Sequence, residues 1–312
     1  MTTAGFIGLC FVSAYPLLMV SMVLLGFGTA FAYTPVISLL AGCFPQRRGS
    51  IIGMVNGGIG LGVFAASALV PWLNALHGSA GWRWACAVFA GTSIVAVAAS
   101  ARLLPGSGGS AGLRTAPAPS VLRNPRLVTV GLMYGLVGLT YIAQATFMYS
   151  FSLEAGLDPQ TAGRLAALMG ILSIFAAPAW GMISDRVGRA RALMVAVTLN
   201  VIGTAIPVLL PTYAGFAAHY LILGCTVSGM FTSILAVAAE SVEPQQAPRA
   251  TSFVTMFYAV GQIVGPALAG VVIEQFGGFK VAFGLSCLIL SSGIYLSWKL
   301  KGMPLRVSSA AV

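Results

Sequence analysis

The chain has 312 residues, 58% of them hydrophobic and 7% charged, with a mean hydropathy of +0.94. A soluble domain carries roughly 25% charge, so this is an integral membrane protein; its Leu-, Ala-, Val- and Gly-rich runs lack polar alternation, which argues against a β-barrel. The net charge of +10 sits in short breaks between apolar runs, so it reads as a topology signal rather than a nucleic-acid patch.

The five cysteines, Cys10, Cys43, Cys86, Cys225 and Cys287, lie in or at the ends of apolar runs. No paired spacing points to a metal or a disulfide framework, and they read as small packing residues. Residues 1 to 14 are apolar but too short for a full span, Tyr15-Pro16 closes them, and the basic start of a secretory signal is missing. Complete spans are predicted at about 16–43, 50–73, 82–103, 127–152, 160–183, 190–210, 213–240, 250–274 and 279–299, each long enough for a ~30 Å hydrocarbon core.

Strict alternation of these spans, with the loop around Arg47 and Arg48 inside, puts 13 basic residues inside and three, Arg83, Arg164 and Lys280, outside. That bias predicts a multi-pass plasma (inner) membrane protein with a cytoplasmic C-terminus. The stretch 105–126, with Gly-Ser-Gly-Gly-Ser and Ala-Pro-Ala-Pro, reads as a cytoplasmic linker. It separates a bundle at 1–104 from a second at 127–300, and 301–312 is a cytoplasmic tail.

The two halves repeat. Leu25-Gly26 aligns with Leu223-Gly224 at an offset of 198, Arg48-Gly49-Ser50 with Arg249-Ala250-Thr251 at 201, and Gly81-Trp82-Arg83 with Gly278-Phe279-Lys280 at 197. A near-constant offset indicates two parallel bundles of homologous helices, as transporters use for alternating access. The counterpart of Leu127 would fall upstream of Met1, so the first bundle is expected to be incomplete: two helices and half of a third are missing.

The most charged short stretch is Gly181-Met182-Ile183-Ser184-Asp185-Arg186-Val187-Gly188-Arg189-Ala190-Arg191, read as a turn between two spans. Gly181 and Gly188 would allow close backbone approach, and Asp185 could sit over the positive N-terminus of the helix beginning near Ala250. Arg186 and Arg189 could pair with an acid at another helix end, with Glu240 the obvious partner. Such a cluster would latch inner helix ends together and break when the protein opens inward. The alternative is that these charges only set topology. Glu240 and Arg249, which flank the break before the span at 250, could belong to the latch or form an ordinary surface pair. Glycine spacing at Gly53, Gly57, Gly60 and Gly62, and at Gly261, Gly265 and Gly270, marks helices able to approach closely, and Pro266 could bend its helix.

Gly181-x-x-x-Asp185-Arg186-x-Gly188-Arg189 resembles the motif between helices eight and nine of the major facilitator superfamily (MFS). Phe44-Pro45-x-Arg47-Arg48-Gly49 resembles that family's loop between helices four and five, and Gly81-Trp82-Arg83 the start of its helix six. The resemblance implies an all-α membrane protein of the MFS fold, running from the third helix to the twelfth. The chain departs from the family's drug/proton antiporters: Ala66-Ser67-Ala68 stands where they carry a Gly-Pro-x-x-Gly-Gly run, and Met22 where they carry arginine.

In that fold, helices one, four, seven and ten are implied to line the solute path. Helical spacing then selects Tyr134, Tyr141, Gln144 and Met148 on the seventh, Thr34 and Ser38 beside Tyr33 on the fourth, and Ser228 and Thr232 on the tenth. These would suit a small polar or amphipathic solute bound without a buried charge. The alternative for the hydroxyls and for Gln144 is interhelical hydrogen bonding. None of the six acidic residues falls mid-span; Glu154, Asp158 and Glu274 lie near outer ends, and Asp185, Glu240 and Glu243 near inner ones. His219 is the one histidine placed in a span, a weak candidate for a proton relay against the alternative of a hydrogen-bonded packing residue.

The resulting expectation is a secondary active or facilitative transporter of a small organic solute, working by rocker-switch alternating access. Organic anions are the first class to test, with a proton or exchanged anion as the coupled species. The lipid bilayer is the other partner, the protein is expected to be monomeric, and no nucleic acid, cofactor, metal or enzymatic activity is expected. The alternatives are a non-transporting scaffold or receptor and an inactive, truncated transporter.

Overall fold

The computed structural model describes residues 1–43, 48–103, 124–243 and 246–303. Their regular structure is helical: α1 (Thr2–Cys10), α2 (Tyr15–Cys43), α3 (Arg48–His77), a 3-10 turn (Gly78–Ala80), α4 (Gly81–Leu103), α5 (Pro125–Glu154), α6 (Pro159–Val187), α7 (Arg189–Leu209), α8 (Tyr213–Glu240), α9 (Ala247–Gln275) and α10 (Gly278–Gly302). Each predicted span has its helix, and the short apolar start is the nine-residue α1. By hydropathy alone α3 and α4 form one run, Met54–Arg102; the turn at Gly78, with φ of +58°, divides it. The Phe44–Arg47 part of the loop motif and most of the 105–126 stretch lie outside the described residues.

Local chemistry explains the helix starts. Asn124 accepts from the backbone N–H of Arg126 (3.1 Å) and Leu127 (3.4 Å), with Pro125 supplying a first helical residue that needs no N–H partner. Asp158 does the same for α6, accepting from Gln160 and Thr161 at 3.0 Å each ahead of Pro159. Hydrogen bonds from Thr161 and Gln160, with Arg164 nearby, hold the Asp158 carboxyl below its usual range. A depressed carboxylate stabilises the fold above its unfolded value and loses that contribution as pH falls through the folded value. We expect Asp158→Asn, which keeps a capping oxygen, to flatten the loss of thermal stability below about pH 4 while leaving neutral-pH stability nearly unchanged; a melting series across pH checks this.

The chain divides into two compact units, Met1–Pro45 with Ala66–Pro117, and Gln46–Ala65 with Ala118–Val312. The repeat reappears in the helix starts: Tyr15 and Tyr213 are 198 apart, Arg48 and Ala247 are 199 apart, and Gly81 and Gly278 are 197 apart. Packing repeats as well, since α1 packs on α2 and α4 in the first unit as α7 packs on α8 and α10 in the second. The first part of α3 groups with the second unit because its glycines lie against α6: a Cβ on Gly57 would stand 3.4 Å from the Ile174 carbonyl, and one on Gly60 2.7 Å from the Gly170 carbonyl.

The second unit has two apolar cores. One gathers Leu127, Met133, Leu193, Val197, Ile234, Val237, Val254 and Leu290; the other, around Met148, Phe151, Phe216 and Phe283, lies toward the Glu154 end. Between α5 and α9 the backbones touch. A Cβ on Gly261 would collide with the Gly135 carbonyl, one on Gly265 with the Leu139 carbonyl, and one on Gly138 with Tyr258. Small residues on both helices thus give the close crossing that membrane helices use in place of a hydrophobic drive. Gly261 and Gly265 were legible as packing positions, and Gly270 stands 3.8 Å from Phe147 through its built Cβ; Gly62 faces no described atom within 4 Å.

Candidate functional site

The charged motif is not an open turn. Helix α6 runs through Asp185 and Arg186 to Val187, and α7 begins at Arg189, so a single residue separates them. That residue is Gly188, at φ +90°, a conformation that any Cβ would strain. The expectation of close backbone contact at Gly181 and Gly188 needs correcting: a Cβ on either meets no described atom within 4 Å, and Gly188 is required by its dihedral.

The break at Gly188 sets the start of α7 against the end of α6, with Asp185 Oδ1 3.6 Å from Arg189 Nη2. The Nε of the same guanidinium pairs with Glu240 Oε1 at the last residue of α8. Arg189 therefore brackets the ends of α6, α7 and α8. Trp180 fixes the approach, its indole lying against Gly229 and its Nε1 donating to the Cys225 carbonyl at 2.6 Å. The Arg189, Asp185 and Glu240 side chains are 30%, 65% and 43% exposed, so water screens these pairs and each is worth on the order of 1 kcal/mol or less. Both pairs lie within one unit. Arg186 is exposed and pairs with no acid among the described residues, while Arg249 stands half-buried in the first turn of α9.

Sequence reasoning missed Arg126, which it counted only as a topology charge. Its side chain is buried at 8% exposure. Nε donates to Ser241 Oγ (3.1 Å), and Nη1 to the carbonyls of Leu300 (3.0 Å) and Met303 (2.6 Å). It thus satisfies carbonyls at the end of α10, which helix geometry leaves unpaired, and it lies within electrostatic reach of Glu240. Asn124 Nδ2 adds a bond to the Ser241 carbonyl at 2.9 Å. The one available signal was its place two residues after a capping asparagine.

At membrane depth the predicted face of α5 splits between partners. Tyr134 stacks on Tyr258 of α9 with centroids 4.5 Å apart, Tyr141 meets Phe231 of α8 edge-on at 5.3 Å, and Phe231 meets Tyr258 at 5.5 Å. Gln144 is buried, and its Oε1 accepts from Thr204 of α7 at 3.0 Å. Asn200, one turn earlier on α7, donates to Thr226 of α8 at 3.1 Å. Met148 belongs to the second apolar core. Ser228 donates to the Ser173 carbonyl at 3.3 Å and Thr232 to the Ser228 carbonyl at 2.8 Å. Tyr33 is half-buried on α2; the side chains of Thr34 and Ser38 lie outside the described residues.

His219 Nδ1 stands 2.8 Å from the Gly203 carbonyl. That carbonyl would normally accept from residue 207, which is Pro207, inside α7 and without an N–H. The histidine supplies the missing donor, which fixes the proton on Nδ1 and gives the residue a structural reason to be there.

Two helical repeats, a bracketed motif between α6 and α7 and a hydrogen-bonding stratum inside the second unit define a multi-pass membrane protein built as a transporter of the major facilitator type. Over residues 1–297 the chain matches the family model described as "Uncharacterised MFS-type transporter YbfB", and it belongs to that family. It is 26% identical over 299 residues to monocarboxylate transporter 13 of Bos taurus, covering 94% of this chain and 70% of that protein. It is 27% identical over 284 residues to the cyanate transport protein CynX of Escherichia coli (strain K12), covering 88% and 71% respectively. A bacterial homolog of the human lysosomal transporter Spinster, solved in an inward-facing and occupied conformation, shares the fold with a TM-score of 0.74 at 14% identity, over 96% of this chain and 80% of that one.

Proposed function

We propose that the protein carries a small organic anion across the inner membrane by alternating access, with its C-terminus in the cytoplasm. The observation that carries this reading is the Asp185–Arg189–Glu240 bracket, which ties the ends of three helices of one unit with ion pairs weak enough to break within a transport cycle. The bracket holds Asp185 at the surface of the unit, where the neighbouring Arg186 is exposed and pairs with no acid among the described residues. Gly181 and Arg249 belong to the same end.

The solute reading rests on chemistry and on likeness. Monocarboxylate transporter 13 and CynX carry small anions in their names. No lysine or arginine lies at membrane depth among the described residues, so Tyr134, Tyr141 and Gln144 would supply neutral donors to an anion, accompanied by a proton or exchanged for a second anion. A second reading has support in the burial of Gln144 and Ser228 in interhelical bonds and of Thr232 in a bond within its own helix: a monomeric membrane scaffold that moves no solute. Uptake of a labelled short monocarboxylate, of cyanate and of a neutral solute of similar size into proteoliposomes separates them. Saturable uptake of an anion, lost in Tyr141→Phe with Gln144→Leu, is expected; no uptake of any of the three, with no solute-dependent thermal shift, would establish the scaffold reading.

A further inference from the structure

Helices α1 and α4 of the first unit meet along an antiparallel seam in fixed register. Thr3 Oγ1 lies 2.8 Å from Ser93 Oγ, the Phe6 and Phe89 rings are 5.7 Å apart, and Arg83 Nη2 donates to the Val12 carbonyl at 2.6 Å. In each pair the two residue numbers add to 95 or 96, because a step forward on α1 is a step back on α4. Cys10 and Cys86 obey the same rule and occupy the next rung. Cys10 Sγ, which donates to its own helix at the Phe6 carbonyl (3.3 Å), stands 3.6 Å from the Arg83 carbonyl. Cys86 follows Arg83 by three residues, one turn along the same face of α4, and the two thiols are within electrostatic reach of each other. Both are half-buried rather than sealed in a core.

We propose that Cys10 and Cys86 are a disulfide site, closed in the mature protein and linking the outer ends of α1 and α4. A disulfide spans Cα atoms about 4.4–6.8 Å apart, a separation that facing residues on one rung of two packed helices can meet. Each thiol gives up a proton and an electron; the Sγ–Sγ bond forms as two electrons and two protons pass to a disulfide-bearing oxidant, which leaves as a dithiol. Such oxidants work on the outer side of the inner membrane. That compartment rests on the charge-based orientation, in which Arg83 and the end of α1 face outward. A covalent tie there would fix the spacing of two helices near the start of the chain, and the Arg83 bond to Val12 already holds the same corner.

Alkylating the denatured protein with a mass-tagged maleimide, after purification under acid-quenched conditions, counts free thiols. The sequence has five cysteines. Five additions are expected after reduction and two fewer before it, with Cys10→Ser or Cys86→Ser alone abolishing the difference and Cys43→Ser, Cys225→Ser or Cys287→Ser preserving it. Five additions in both states would overturn the proposal. Cross-linking intact cells with a short thiol-bridging dibromide separates the two assumptions. A Cys10–Cys86 bridge formed only by a membrane-permeant reagent contradicts the outward orientation, whereas no bridge with either reagent in reduced cells contradicts the juxtaposition itself.

Discussion

Arg126→Ala is expected to lower stability by about 3 kcal/mol, the cost of stranding buried carbonyls and deleting charge-assisted bonds. The guanidinium is buried, and three of its contacts join α5 to the ends of α8 and α10. Removing it takes the guanidinium donor from the Leu300 and Met303 carbonyls, leaving the Leu300 carbonyl with only the longer bond from the Met303 N–H at 3.3 Å. Arg126→Lys should recover only part of the loss, since an ammonium cannot reach Ser241 and the two carbonyls with a planar fork. Thermal melts of the purified protein in detergent check this: a drop of roughly 5–10 °C for the alanine variant, with lysine between, is the expected order. Equal melting of all three would mean the clamp contributes nothing.

Gly265→Leu is expected to be at least as damaging. At this position the α9 backbone lies against the Leu139 carbonyl, and at Gly261 against Gly135. A leucine side chain has nowhere to go but between two main chains, and overpacking by that volume costs on the order of 3 kcal/mol or more. Gly284→Leu on α10 is the control, because a Cβ there meets no described atom within 4 Å. The seam variant should be lost to aggregation during size-exclusion chromatography while the control elutes as the parent does. A Gly265→Leu protein that elutes and melts normally would show that α5 and α9 are not held this closely.

These two positions also mark what the sequence could and could not convey. The spans and the repeat were legible because hydropathy and a constant offset are properties of the linear chain. Partners were not. Gly261 and Gly265 showed a small-residue face, but nothing linear tied it to Gly135 and Gly138, which lie on a helix read only for Tyr134, Tyr141, Gln144 and Met148. Tyr141 and Gln144 share a face of α5, yet they turn to different helices, since an arc of that width spans two neighbours in a bundle. Cys10 and Cys86 had no recognisable spacing because an antiparallel register, not sequence distance, brings them together.

At the motif the sequence conveyed more than it did elsewhere. Asp185, Arg189 and Glu240 were expected near one another, and the structure joins them in two ion pairs. What it changed is the geometry: helix α6 carries Asp185 and Arg186 to its end, and one glycine at positive φ replaces the expected turn.

The most direct test of the account is a double-mutant cycle on initial uptake rates in proteoliposomes, using Arg189→Gln, Glu240→Gln and the pair together, each reconstituted at equal, verified levels. If the bracket sets the balance between open states, each single variant slows anion uptake several-fold and the double is no slower than the worse single, because both delete one interaction. Single variants that transport at the parental rate, or losses that simply multiply in the double, would contradict a functional bracket and leave Arg189 and Glu240 as charges that do no more than set topology.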